Sequence, residues 1–578
     1  MTFFLKKWNM VCLLVTLLIL APLSIANATT LTDEVIDVPT DKTWTIKFNF
    51  PVIESSITSN SIYVMNSKKV KQAVTVSVKD DVVTVRPPKA GYELSQTYTL
   101  HITADTLGQV NKEIKTLKQP IIKPFTVVEG YVVVNIHENG TYSSISNHPT
   151  FDEANASLQE GQGIMLNDKF VKIPSGFVTT NTKPVTIIYK QATFTPQFDY
   201  TGVDTDTELI YVDATSDYVK VNAFGQNMYV KHEDVTLLPT AAAKGQSYYI
   251  SDQKGLWHYI YRHHKGKYDS PYLIGENPVF LNKGVKYYSM DGANFIDENG
   301  EIAGEGYAYF HYLSPRVPTS YSAAEIDTYI NSELAAIEKT SHVRYANATI
   351  KSPLKGLGVT LKKIEKEHRI NALFILSLAI HENDYGMSCH AQNYNNLFGL
   401  NVTDSDDHCS TDVIISSPKY FASITENISS LVNGLNTNYL NPVNMKDYRY
   451  NGLALGNKMI GMNVRYATDP YWGAKTAGHM YSIDKELGSK DYKKYNIGFT
   501  TLSDVSIRKE PVVKGGNNDN RAYQYKLHRT IKRLDKMPIT LSTTPSETTG
   551  WLRVISELPK DGTDLYTVTD NVRIVTTH

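Results

Sequence analysis

Cysteine is scarce: the 578 residues contain three, Cys12, Cys389 and Cys409, too few for a scaffold built on disulfides. An excess of one charge is also lacking. Lys and Arg number 58 against 59 Asp and Glu, and no basic stripe or block stands out, which excludes a nucleic-acid footprint. No Gly-rich phosphate loop, nucleophile elbow or HExxH motif occurs, so the chemistries those motifs serve have no support. After the first twenty residues no apolar run is long enough to read as a bilayer span. The final residues, Arg573 to His578, show neither a hydrophobic tail nor a sorting signal.

The N-terminus has a signal-peptide layout. Lys6 and Lys7 precede the apolar run Val11 to Leu20, and Ala26-Asn27-Ala28 is a small-x-small cleavage site. The run falls short of the roughly 20 residues a spanning helix needs. Residues 1–28 are therefore expected to be removed and Thr29 to begin an exported, soluble chain. Cleavage takes away two lysines and no acid, so the formal charge moves from −1 to −3. The chain is too long for one hydrophobic core, and several domains are expected. Tyr outnumbers Phe 38 to 18, which suits half-wet β surfaces and sugar platforms, because the ring is apolar and the hydroxyl stays hydrated.

From residue 29 to 128 the apolar residues alternate with period two. Trp44, Ile46 and Phe48 form one run, Val74, Val76 and Val78 another; Val83 and Val85 follow an Asp80-Asp81 turn, and Tyr98, Leu100 and Ile102 come later. Short strands between turns predict a β-sandwich, and TWTIKFNFPV with PPKAGYELSQTYTLHI resembles bacterial Ig-like domains. Residues 129–240 stay β-rich and end in TELIYVDATSDYVKVNAFGQNMYVKHEDVTLLP, which looks like a bacterial SH3-like module. Residues 241–317 are Tyr-rich and β-rich. Residues 318–497 switch to helical spacing, with Ser322 able to cap the run Ile326, Ile330, Leu334 and Ile337. β patterning returns over 498–578, where DVSIRKEPV and GWLRVISELP resemble a second SH3-like module.

Chemistry points to the helix NALFILSLAIHENDYG, Asn371 to Gly386. Its apolar residues face several ways, so it is expected to be buried on most sides, with Gly386 as its stop. Glu382 then sits where core meets cleft. Desolvation there raises a carboxyl pKa, as a general acid for glycoside cleavage requires. The amide- and aromatic-rich stretches that follow, Asn395-Asn396-Leu397-Phe398 and Tyr466 to Trp472, are suited to sugar hydroxyls, acetamido groups and pyranose faces.

Together AIHENDYG, NNLFGL, LGNKMIGMNV and YATDPYWGAKTAGHMYSID resemble the glucosaminidase domain of glycoside hydrolase family 73. The resemblance implies a lysozyme-like α+β catalytic domain flanked by all-β modules. It further implies an endo-β-N-acetylglucosaminidase acting on peptidoglycan, with no cofactor and no metal, as a wall-associated monomer of a Gram-positive cell. The family's catalytic Glu falls on Glu382, and Asn395, Asn396, Phe398, Tyr471 and Trp472 are candidate substrate-binding residues. For a second carboxylate, Asp404 is favoured over Asp406, Asp407, Asp412 and Glu426. The substrate acetamido group could take that part instead, oriented by Tyr466. Asp469 before Pro470 reads as a turn or capping residue. Cys389 and Cys409 read as a disulfide, with two free thiols, or zinc held by them and His390 and His408, as the alternatives. A muramidase or lytic transglycosylase on the same fold, and a non-catalytic wall-binding protein, stay open as rival functions.

Overall fold

The computed structural model describes residues 36–578 apart from 118, 128–129, 182–183, 195–199, 403–416, 418, 445–447, 503 and 526–535. The signal-peptide segment, Asp404 and Cys409 lie outside the described residues. The chain divides into two compact units. One runs to residue 176 and includes 213–219 and 236–242; the other holds the rest.

In the first unit the alternating runs form two sheets. Trp44–Lys47, Val82–Arg86 and Thr75–Lys79 make one; Ile36–Val38, Ile121–Val127, Thr97–Ile102 and Ile62–Asn66 make the other, in that order. Period two decides the core: Tyr98, Leu100 and Ile102 point inward to Ile62, Val64, Val85 and Phe125, all buried. Each such side chain contributes about 1.5–3 kcal/mol when it leaves water. A four-stranded sheet follows, Tyr142–His148, Tyr131–Ile136, Gln162–Leu166 and Lys169–Lys172. It packs against a helix, Phe151–Ser157, that the β reading of 129–240 does not anticipate. The helix signals are local: Thr150 caps it by accepting from the Glu153 amide at 3.2 Å, and Asp152 and Glu153 fill its first turn.

Two seven-stranded sheets share one topology. The first is built from Gly176–Thr180, Thr186–Tyr189, Tyr200–Val203, Glu208–Ala214, Val219–Ala223, Gln226–Val230 and Val235–Pro239. The second is built from Asn496–Thr500, Val505–Arg508, Arg521–Tyr525, Pro538–Leu541, Trp551–Val554, Leu565–Val568 and Val572–Ile574. In each the spatial order is third, second, sixth, fifth, fourth, first, seventh. Each also has a 3-10 turn just before its seventh strand, His232–Asp234 and Thr569–Asn571.

Six helices of the second unit concern the site: α1 (Ala323–Glu338), α2 (Gly358–His368), α3 (Ala372–Asn383), α4 (Cys389–Tyr394), α5 (Ile424–Asn438) and α6 (Trp472–Glu486). Ser322 and Glu325 close a capping box on α1. The hydrophobic core does not stop at residue 497, where a separate module was expected to begin. Phe499, Ile507, Tyr523, Ile539, Val554 and Leu565 join one cluster with the helix residues Ile326, Leu361, Phe374, Leu431 and Trp472. Arg316, 1% exposed, crosses the same boundary. Its guanidinium donates to the Glu557, His368 and Arg369 carbonyls at 3.2 Å each and to that of Leu440.

Candidate active site

The site begins with α3. Its N-cap Asn371 accepts from the Phe374 amide at 3.0 Å, and every residue from Ala372 to Ile380 is buried. A helix apolar all round has nowhere to be but inside. It ends at Asn383, and the next three residues are all left-handed: Asp384 (φ 55°), Tyr385 (φ 58°) and Gly386 (φ 77°). The stop therefore falls on Asp384, two residues before the expected Gly386. Asp384 is held by the Tyr345 hydroxyl at 2.9 Å and the Arg344 Nε at 2.8 Å, and Asp is among the residues that tolerate this region. The buried Asn383 donates to the Leu397 carbonyl at 2.7 Å, tying the helix end to the NNLFGL loop.

This end presents Glu382. Its Oε1 accepts from Trp472 Nε1, at the start of α6, at 2.9 Å. Trp472 is 2% exposed and packs on Tyr466, ring centroids 4.5 Å apart, and Tyr466 in turn meets Tyr439 edge-on at 5.4 Å. Glu382 is open to solvent, yet the protein crowded round its carboxyl pushes its pKa above the ordinary glutamate range. The negative charge of Asp469 adds to that, and the Trp472 N–H works against it. Openness on one side and desolvation on the others belong together in a group lining a cleft. Burial also pushes the Tyr466 phenol up, and the charge of Glu382 adds to it. His381 and His479, rings 6.1 Å apart, are both driven down to about 4 by burial, so neither is charged near neutral pH.

The loop from Met462 to Pro470 places Tyr466 and Trp472. Two buried polar residues under it hold its shape. Lys458, 1% exposed, donates to the Asn463 carbonyl at 2.9 Å and to that of Ala467. Asn463 donates to the Asp469 and Pro470 carbonyls at 3.1 and 3.0 Å. Burial pushes the Lys458 ammonium down to about 7, against the pull of Asp469 and Asp204. Asp469 accepts from the Tyr471 amide at 2.9 Å and from Lys475 Nζ at 2.6 Å. Burial acts to raise its pKa, but Lys475 and the amide hold it below the usual carboxylate range. Asp469 is thus the turn residue expected, and it is also the carboxylate whose charge is felt at Glu382.

Residues 358–485 match the family model described as mannosyl-glycoprotein endo-beta-N-acetylglucosaminidase. That segment is a glucosaminidase domain. Residues 21–126 match the bacterial Ig-like domain. Two curated relatives from Streptococcus pneumoniae, each described as a putative endo-beta-N-acetylglucosaminidase, are 30% identical over 267 residues. The match covers 46% of this chain and 34% and 32% of theirs, so the chain spans about a third of the length of the curated relatives it matches. A solved structure of Staphylococcus aureus autolysin E is 18% identical at a TM-score of 0.23, over 31% of this chain and 72% of that one, too slight a likeness to place the fold.

Within the glucosaminidase domain the expected site residues separate. Glu382, Tyr466 and Trp472 converge. Trp472 is too buried to stack on a sugar and orients Glu382 instead. Tyr471 turns the other way and meets His258 at 4.8 Å and Tyr272 at 6.5 Å. Asn396, expected to bind substrate, is 1% exposed, and its amide is taken up by the loop. It donates to the Leu400 and Lys419 carbonyls at 2.8 and 3.2 Å and accepts from the Leu400 amide and Asn427 at 3.0 and 3.2 Å. Asn395 closes α4 in the left-handed region and donates to the Phe421 carbonyl at 2.9 Å. Phe398 is buried in the core. Glu426 lies in the first turn of α5, which Ser423 caps, and accepts from the Ala422 amide at 2.8 Å. Cys389 is disulfide-bonded; Asp404, Asp406, Asp407, Asp412, His408 and Cys409 lie outside the described residues. Among the described residues no group of three His, Cys, Asp or Glu is placed to hold a metal. Sequence reasoning missed Lys458 and Lys475; a lone Lys in the mostly apolar run Leu455 to Val464 was the one signal of the first.

Proposed function

We propose that this chain is an endo-β-N-acetylglucosaminidase that hydrolyses the β-1,4 bond between GlcNAc and MurNAc in peptidoglycan. The observation that carries the reading is Glu382 itself: a carboxyl on the lip of a buried helix, raised above the ordinary range and aimed by Trp472. Glu382 protonates the leaving glycosidic oxygen, as a carboxyl that keeps its proton toward neutral pH can do. The oxocarbenium-like centre is stabilised by Asp404 or by the substrate's own acetamido oxygen, with Tyr466 beside Glu382 to orient that group, and water completes the hydrolysis. A disulfide between Cys389 and Cys409 would bracket the NNLFGL loop and order it before substrate arrives.

The chain acts outside the cell, after loss of residues 1–28, on the wall of a Gram-positive bacterium. The shared topology of the two seven-stranded sheets supports reading both as SH3-like. The earlier one, with the Ig-like domain, is the candidate for wall attachment. The relatives' described activity supports the same assignment.

The test is Glu382→Gln. Release of fragments from purified walls is expected to fall by about a hundredfold or more, the usual loss with a general acid, with wall binding and the melting temperature kept. A variant retaining more than a few per cent of the wild-type rate removes Glu382 from this role. Mass spectrometry of the wild-type products decides the bond: new GlcNAc reducing ends are expected, whereas MurNAc ends identify a muramidase and anhydro ends a lytic transglycosylase.

A further inference from the structure

The segment between residues 241 and 317 takes no part in the chemistry above, yet it carries a cavity of its own. Strands Tyr248–Ser251 and Leu256–Tyr259 pair antiparallel, with Tyr248 opposite Tyr259 and Ile250 opposite Trp257. Period two sends Tyr249 and Leu256 into a core with Phe295 and leaves Tyr248, Ile250, Trp257 and Tyr259 on the outer face, half-buried. Lys286 extends that face, its Nζ 4.5 Å from the centre of the Tyr248 ring. Beside these rings lies a cavity of about 580 Å³, walled by Ile250, Trp257, Tyr259 and Pro271 and rimmed by Gln253 and Lys283.

The lining states what it would take. The cavity is an open depression on the sheet face, wide enough for one sugar ring, and not an enclosed pocket. An indole and a phenol on one wall suit the C–H face of a pyranose. Gln253 offers both a donor and an acceptor to hydroxyls, and the Lys283 ammonium offers a partner to a carboxylate. Asp252 lines the cavity too; its carboxylate accepts from the Lys254 and Gly255 amides at 2.7 and 3.1 Å, which help to hold it charged, so the rim carries one group of each sign, with Lys283 the cation.

The small sheet is also fixed to the helix that serves the active site. Tyr481 on α6 donates to Glu276 at 2.9 Å, and Lys485 to the Lys254 carbonyl at 2.9 Å. Gly478 of α6 lies so close to the Leu273 carbonyl that a Cβ there would stand 1.9 Å from it. Trp472, which holds Glu382, begins the same helix. A ring bound in the cavity is therefore held at a set displacement from Glu382.

We infer that this cavity is a second sugar-binding site. It takes a pyranose of the glycan strand that Glu382 cuts, with that sugar's carboxylate-bearing substituent toward Lys283. The inference rests on the reading of the substrate as peptidoglycan. A fixed second site raises the local concentration of a strand at the cleft, so it acts on long strands and not on fragments too short to reach both places.

Full-length protein is compared with Trp257→Ala and with Lys283→Glu in two assays. One measures rates on long glycan strands and on a GlcNAc–MurNAc tetrasaccharide. The other titrates the Glu382→Gln background with long strands by calorimetry. Trp257→Ala is expected to weaken strand binding about tenfold and to slow cleavage of long strands in step, with the tetrasaccharide rate within about twofold of wild type. Lys283→Glu, a change at an exposed residue that does not threaten folding, is expected to weaken binding of strands bearing muramyl carboxylates and to leave binding of chitin oligosaccharides unchanged. Equal strand affinity across wild type and both variants overturns the site. Equal loss on long strand and tetrasaccharide for Trp257→Ala overturns it as well, because that marks a packing role. If no protein cleaves peptidoglycan but strand binding still depends on Trp257, the catalytic reading falls and the second site stands.

Discussion

At the scale of single residues, the site works by opposition between burial and a few donors. Burial lifts Glu382, and the Trp472 N–H holds part of that lift back. Trp472→Phe keeps a ring against Tyr466 and removes the donor. With the charged form losing its hydrogen bond, the Glu382 pKa is expected to rise further, and the alkaline limb of the kcat/KM profile to move to higher pH. An unmoved limb separates Trp472 from the acid. Lys458 gives a second test, in stability. Its folded pKa, about 7, lies below its ordinary 10.5, so between those values the unfolded chain binds the extra proton. Its contribution is present in full at high pH and lost as pH falls through about 7. Wild type is therefore expected to gain melting temperature relative to Lys458→Met as pH is raised from 7 to 10. The variant is also expected to lose about tenfold in activity, because the carbonyls of Asn463 and Ala467 lose their donor beneath the Tyr466 loop. Parallel melting curves across that range contradict the linkage.

At the scale of elements, the end of α3 matters more than its length. Three successive left-handed residues swing the chain away just after Glu382, and the last of them must be glycine. A Cβ on Gly386 would stand 2.6 Å from Ser352 Oγ and 2.9 Å from Pro353 Cδ. Gly386→Ala is expected to destabilise by about 1–3 kcal/mol, from the conformation and the clash together, measured as a lower denaturation midpoint. A midpoint unchanged within error contradicts this account of the turn. The helix itself was legible from its unbroken apolar run, and so was the Ser322 cap on α1. The stop was misplaced by two residues, because Asp384 takes the left-handed position only with Tyr345 and Arg344 there to hold it. Neither is near it in sequence.

At the scale of the whole molecule, the C-terminal sheet belongs to the core of its unit. Ending the chain at residue 497 would strip Phe499, Ile507, Ile539, Val554 and Leu565 from the shared cluster and take from Arg316 one of its four carbonyl acceptors, that of Glu557. Such a chain is expected to lose its cooperative melting transition and its activity on soluble glycan alike, since the apolar face that the sheet covers would be left in water. A truncated protein that melts cooperatively and cuts soluble fragments at the wild-type rate refutes this. The sequence by itself determined the β-patterned and helical regions, because period two and period 3.6 are properties of neighbours along the chain. It also singled out Glu382 as the candidate acid, but only through the motifs that follow its helix, since a carboxyl at a helix end reads by itself as an ordinary surface Glu. Tertiary structure alone decided which aromatic aims that carboxyl, that Asn396 builds the loop and not a sugar contact, and that the final sheet shares the helices' core. Each of those depends on which residues, far apart in sequence, exclude water from one another, and no local pattern records that choice.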